Sequence, residues 1–238
     1  MHGLFGLMDN WMGLAKILSQ MYQIYVLDLR NHGRSLQDPV FDYEAMSHDL
    51  HDFIQEHHIP HPHIIGHSMG GKVAMYFAGR YQPEPFDKLV VVDIAPKYYP
   101  VHHRSILDAL QSVDLPSLQS RQQADEQLAK SILEVDVRQF LLKNLYRTEE
   151  GTFAWRFNLQ VLDDQIENVG DALPEHFHSE RPALFIRGER SRYIKDEDMP
   201  LILTHFPNAR LETIAEAGHW VHAEKPGELL AMVQDFLA

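Results

Sequence analysis

The run Gly66-His67-Ser68-Met69-Gly70-Gly71 narrows what this chain can become more than any other segment. It follows a short apolar run, His63-Ile64-Ile65, and leads into Lys72 to Tyr81, which is rich in small and apolar residues. A serine in the spacing G-x-S-x-G between a strand and a helix sits on a sharp, strained turn that lifts its hydroxyl above the sheet edge. Glycines on either side let the backbone bend and let the helix come close to the strand. The helix N-terminus offers free N–H groups and a positive dipole end to a developing oxyanion. The pattern predicts Ser68 as a nucleophile and the Met69 N–H as an oxyanion donor. The competing explanation is a glycine-bearing turn with no chemistry.

The rest of the chain supplies a matching frame. Gln23 to Leu29 (QIYVLDL) and Lys88 to Asp93 (KLVVVD) read as strands, and Tyr43 to Gln55 places Met46, Leu50, Phe53 and Ile54 at helical spacing. KLVVVD is apolar almost throughout, as a strand covered on both faces should be. Strand and helix alternate, which predicts a mainly parallel, doubly wound α/β sheet. From Tyr98 to Arg181 the rhythm turns helical, with helices expected over 105–113, 121–133 and 137–146. The alternation returns at Pro182 with ALFIRG, a helix near Glu197 to His205, a strand from Arg210 to Ile214 and a helix from Pro226 to Leu237. The expected organisation is an α/β core over 1–97 and 182–238 carrying a helical cap over 98–181.

Composition removes several function classes. A net charge of −13 disfavours non-specific nucleic-acid binding and docking on anionic membranes. There is no cysteine, hence no disulfide, thiolate metal site or cysteine nucleophile. No apolar run approaches the roughly 20 residues of a membrane helix. The opening MHGLFGLMDNW lacks the pattern of a signal peptide, so the expected location is cytoplasmic. The sequence leaves association between copies of the chain open. The His57-to-His63 stretch carries two prolines and no carboxylate at helical spacing, so no metal site is expected there.

A serine hydroxyl needs a base. Among 16 histidines, His219 stands out because it follows the last strand and precedes the final helix, the loop that ends beside the nucleophile; His222 is the lesser candidate. The acid that orients the imidazole belongs at the end of a strand. Asp93, Glu189 and Asp196 qualify. Asp93 is the best placed, at the end of a buried strand, and Ser191 stands about where an aspartate would follow ALFIRG. The second oxyanion donor is expected from His2-Gly3-Leu4-Phe5-Gly6, with the Leu4 N–H pointing at the oxyanion. Phe5, Trp155, Phe157 and Trp220 are candidate pocket residues. Asp28 and Arg30 are expected to hold loops.

HGLFG, DLRNHGRS, GHSMGGK, VVDIAP and GHWVHAEKP, in this order, resemble the bacterial YbfF-type esterases of the α/β-hydrolase superfamily. The resemblance covers nearly the whole chain, including FAWRFNLQVL. It implies the α/β-hydrolase fold, hydrolysis of short to medium acyl esters of small molecules, and no cofactor. Acyl thioesters, C–C bonds, or ligand binding on an impaired hydrolase fold are the alternatives. In that family the acid follows the strand before the cap and a serine takes the more usual acid position, which matches Asp93 and Ser191. Its members begin with a β-hairpin and a strand leading into HGLFG, whereas this chain starts at Met1-His2, so those N-terminal strands are expected to be missing.

Overall fold

A computed structural model describes residues 1–81, 83 and 85–238. The described elements begin with α1 (Met12–Leu18), α2 (Tyr43–Glu56), β1 (Ile64–His67), α3 (Met69–Arg80) and β2 (Leu89–Val92). The stretch between β2 and the next sheet strand holds α4 (Arg104–Gln111), α5 (Arg121–Leu128), α6 (Val135–Leu142), the hairpin β3 (Leu145–Arg147) and β4 (Phe153–Trp155), and α7 (Leu159–Asp164). Then come β5 (Ala183–Gly188), α8 (Met199–His205), β6 (Ala209–Ile214), α9 (Val221–Glu224) and α10 (Pro226–Leu237).

The sheet has the order β1-β2-β5-β6, and every pairing is parallel. The period of two along each strand divides its side chains between two layers. Leu89, Val91, Ala183 and Phe185 face one core with Met46, Leu50, Val73 and Phe77 of α2 and α3. Val90, Val92, Leu184 and Ile186 face another with Leu14, Leu18, Leu229 and Val233 of α1 and α10. β2 is buried along its whole length. The helices obey equally simple rules. The Asp42 carboxylate caps α2 by accepting the Ala45 N–H at 2.7 Å. Pro226 opens α10, where its missing N–H costs nothing.

Parallel strands put all their C-terminal ends on one edge. The turns after β1, β2 and β5 and the loop after β6 therefore meet there. The insertion between β2 and β5 is not a separate globule: Leu107, Leu128, Leu141 and Phe157 share one apolar cluster with Phe5, Met69 and Val73.

Three expectations need correcting. Residues 23–29 run without regular secondary structure and join no sheet. Their apolar side chains line a groove of about 400 Å³ against Ile64, Ile65, Leu18 and Val233. A strand needs a ladder partner as well as the right side chains, and residues 23–29 pair with none. At the groove's end Met1 lies along β1, donating to Ile65 O at 2.8 Å and accepting from His67 N at 3.1 Å. The helix expected over 121–133 ends at Leu128, and the one expected over 137–146 ends at Leu142, where the chain turns into the β3–β4 hairpin, whose strands are too short to show a period. Among the described residues no helix is long and apolar enough to cross a membrane.

Phe185 is fully buried at the centre of β5. Phe185→Ala should lower the unfolding free energy by about 3–5 kcal/mol. Urea denaturation followed by circular dichroism would measure it, and a loss under about 1 kcal/mol would mean the sheet is not the core described.

Candidate active site

Ser68 occupies the turn between β1 and α3 with φ 52° and ψ −121°. This left-handed conformation is costly for a residue with a Cβ and survives only when its surroundings enforce it. The enforcement is visible. Ser68 N donates to Val92 O at 2.9 Å, and Ser68 O accepts from Gly71 N and Lys72 N. A Cβ on Gly66 would stand 2.1 Å from the Gly70 carbonyl oxygen, and one on Gly70 would stand 2.5 Å from the His2 carbonyl oxygen. Glycine is required at both positions, first to fold the turn and then to admit the N-terminal loop.

His219 reaches Ser68 from the loop after β6. Its Nε2 lies 3.0 Å from Ser68 Oγ and its Nδ1 lies 2.7 Å from Asp93 Oδ2. With a proton on Nδ1, the ring donates to Asp93 and accepts the serine O–H. Asp93 is completely buried and holds φ 54°, a second strained residue at the same sheet edge. Its carboxylate accepts from Gly188 N at 3.1 Å and from the Ser191 hydroxyl. Ser191 thus spends its O–H on an acid supplied by the neighbouring strand. The other acid candidates are elsewhere: Glu189 accepts the Glu216 N–H at 2.8 Å, and Asp196 pairs with Arg187 at 2.7 Å. His222, the other base candidate, is buried and stacks on Trp11 with centroids 5.2 Å apart.

Three contacts that sequence reasoning missed hold the imidazole. His67 Nε2–H donates to the His219 carbonyl at 2.8 Å. Tyr193 stacks on the His219 ring at 3.9 Å and 17°. The Tyr99 hydroxyl donates to Tyr193 O and accepts the Ala95 N–H at 2.9 Å, fixing Tyr193 in turn. The only signal for His67 was its place inside G-x-S-x-G. Tyr193 lies in a loop and carried none.

Leu4 and Met69 both border the space beside Ser68. The Met69 amide is the first of α3 and has no partner within the helix. The Leu4 loop is held by two buried imidazoles. His2 donates from Nδ1 to Gly3 O at 2.8 Å and accepts Leu29 N–H on Nε2 at 3.0 Å. His32 donates from Nδ1 to Arg30 O at 3.0 Å and accepts Phe5 N–H on Nε2 at 3.1 Å. Asn144 donates to Phe5 O at 2.7 Å. Asp28 and Arg30 hold the adjoining turns: Asp28 accepts Met8 N and Arg34 N, and Arg30 forms a two-pronged pair with Asp49 at 2.6 and 2.7 Å.

A cavity of about 170 Å³ opens on Ser68 and His219. Phe5 and Trp220 are on its wall, as are Ile106, Val137 and Phe140 from α4 and α6. Trp155 and Phe157 do not line it. They stack on each other at 5.5 Å, and Phe157 packs behind Phe5 at 5.6 Å. Their alternation belongs to β4 and its exit, and it points them into the core under the pocket wall.

The chain matches the family model described as the alpha/beta hydrolase fold over residues 1–226. It is similar to Esterase YbfF of Escherichia coli (strain K12), with 42% identity over 99% of this chain and 91% of that one. It is also similar to the sn-1-specific diacylglycerol lipase of Danio rerio, with 39% identity over 100% of this chain and 77% of that one. Among solved structures a marine microorganism esterase superposes with a TM-score of 0.96 at 40% identity, covering 99% of this chain and 93% of that one.

The loop imidazoles have a pH consequence. Burial pulls His32 down to about 4 from 6.5, outweighing the Arg30 carbonyl and Asp28, which push upward. Burial, followed by the proximity of His32, also lowers His2 well below its ordinary value. Between about 6.5 and 4 the unfolded chain binds more protons than the folded one, so stability should fall as the pH falls through that window. His32→Gln can still accept the Phe5 N–H and does not titrate. Its stability, measured in urea from pH 7 to 4, should fall less steeply than that of the parent; equal slopes would acquit His32.

Proposed function

Because the chain belongs to the α/β-hydrolase fold family, we propose that it is a serine carboxylesterase acting on short to medium acyl esters through an acyl-enzyme on Ser68. The observation that carries this reading is the hydrogen-bonded series Ser68–His219–Asp93, at 3.0 and 2.7 Å, on one edge of a parallel sheet. The esterase and lipase names of its relatives point to the same reaction class.

In the proposed reaction His219 Nε2 takes the Ser68 proton as Oγ attacks the ester carbonyl. The N–H groups of Leu4 and Met69 hold the oxyanion. Asp93 keeps the imidazole in the tautomer that leaves Nε2 free and stabilises the imidazolium once it forms. As the tetrahedral intermediate collapses, the C–O bond to the alcohol breaks and His219 protonates the departing oxygen. Water then enters, gives its proton to His219 and attacks the acyl carbonyl. The acid leaves and Ser68 recovers its proton.

The walls argue for the size class. Phe5, Ile106, Val137 and Phe140 make the cavity apolar, and its volume of about 170 Å³ favours a short chain over a long one. Helices α4 and α6 set the far wall, which gives the segment 98–181 the part of a cap over the acyl group.

Purified protein should turn over p-nitrophenyl acetate and butyrate well and the palmitate poorly. A fluorophosphonate should add to the intact mass at Ser68, and Ser68→Ala should abolish both signals. Folded protein showing neither turnover nor adduct would end the esterase reading. Asp93→Asn should lower kcat by about 10⁴, as when the orienting acid of a triad is lost. Glu189→Gln should leave kcat nearly unchanged; the reverse result would move the acid to Glu189.

A further inference from the structure

Lys72 follows the nucleophile turn on α3, yet its side chain is turned away from the reaction and completely buried. Its Nζ donates to the Lys97 carbonyl at 2.7 Å and to the Asp171 carbonyl. Those carbonyls belong to the two ends of the insertion, the stem that leaves β2 and the stem that returns toward β5. The stems also bond to each other: Tyr99 N donates to Gly170 O and Leu173 N donates to Pro96 O, both at 2.8 Å. Tyr76 stands one helical turn beyond Lys72, on the same face of α3, and donates to Ala172 O at 3.1 Å. Tyr43 of α2 donates to Val169 O at 2.7 Å. The Lys72 ammonium also lies 5.3 Å from the Tyr99 ring centre and 5.6 Å from that of Tyr43.

This is an arrangement for holding backbone. The partners of Lys72 are carbonyl oxygens, which a lysine can bind whether or not it is charged. Burial draws its amine down to about 7, with the nearby Asp171 carboxylate pulling the other way. A neutral amine keeps two N–H groups, one for each carbonyl. An apolar side chain of the same length would take this donor away from both carbonyls.

The gripped stems border the reacting centre. Tyr99 and Gly170, which bond to each other across the stems, line the small space beside Ser68 and Met69. We propose that Lys72 is a positioning residue for the ester site, clasping both stems of the insertion to the nucleophile helix and so setting the substrate wall at Tyr99 and Gly170. The inference rests on the esterase reading. It concerns substrate fit first: Tyr99 also supports His219 through Tyr193, but the ring keeps its own bond to Asp93 and the His219 carbonyl its bond from His67.

Lys72→Met removes the donors and keeps the length. With p-nitrophenyl butyrate it should raise KM by about tenfold, the worth of roughly one net hydrogen bond, while kcat stays within a few-fold. Amide hydrogen exchange should speed up at residues 97–99 and 169–173 and remain slow in α10. This readout does not depend on turnover, so it separates failure of the clasp from failure of the esterase reading. Tyr76→Phe deletes only the bond to Ala172 and should shift KM and exchange in the same direction by less. It decides the matter if Lys72→Met does not fold. Unchanged exchange in the stems, or a fall in kcat with KM constant, would overturn the proposal.

Discussion

The forced turn at Ser68 organises the molecule around it. A residue with a Cβ at φ 52° must be held, and here it is held by the Val92 carbonyl on one side and the first turn of α3 on the other. That in turn demands glycine at 66 and 70, because a Cβ at either would collide with backbone. The space left open at Gly70 is what admits Met1 and His2, so the strain at the serine and the approach of the Leu4 loop are one packing solution. An alanine there would displace the loop as well as the turn.

The acid shows how a parallel sheet tolerates variation in its loops. β2 and β5 are neighbours in register, with Val92 opposite Ile186. The residues that follow them therefore emerge side by side, and a carboxylate from either strand end can reach an imidazole descending from the loop after β6. Here the carboxylate comes from β2, as Asp93, and the end of β5 supplies donors to it, Gly188 N and the Ser191 hydroxyl. Full burial of a carboxylate is expensive unless its oxygens are paired. Asp93 has partners for both, which is why a strained, buried acid is sustainable there.

Much of this was legible in the sequence, and the unreadable part has physical causes. The strand runs KLVVVD and ALFIRG were readable because burial on both faces forces continuous apolar character. The meeting of Ser68, Asp93 and His219 was readable because the first two follow strand ends directly and the third lies in the loop after the last strand. QIYVLDL had the same character and still joined no ladder, since side-chain pattern specifies a surface and not a partner. Trp155 and Phe157 were ambiguous because an alternating aromatic pair suits a pocket wall and a core alike. Lys72 was invisible: nothing in a lysine after two glycines says that its amine will meet two carbonyls from stretches of chain far apart in sequence.

The crowd of histidines around Ser68 raises a last question of selection. His67, His103 and His222 all lie close to the same cavity as His219. Burial lowers each of the three, His103 and His222 to about 4 and His67 well below its ordinary value. Each therefore stays neutral where an ester would be hydrolysed, which matters because a second positive charge nearby would oppose formation of an imidazolium. Of the four, among the described residues, only His219 meets a carboxylate. Position after the last strand brings His219 to the serine, and in the proposed reaction its pairing with Asp93 is what would let it carry the proton. The neutral imidazoles around it then serve as packing and as hydrogen-bonding struts, His67 to the His219 carbonyl among them.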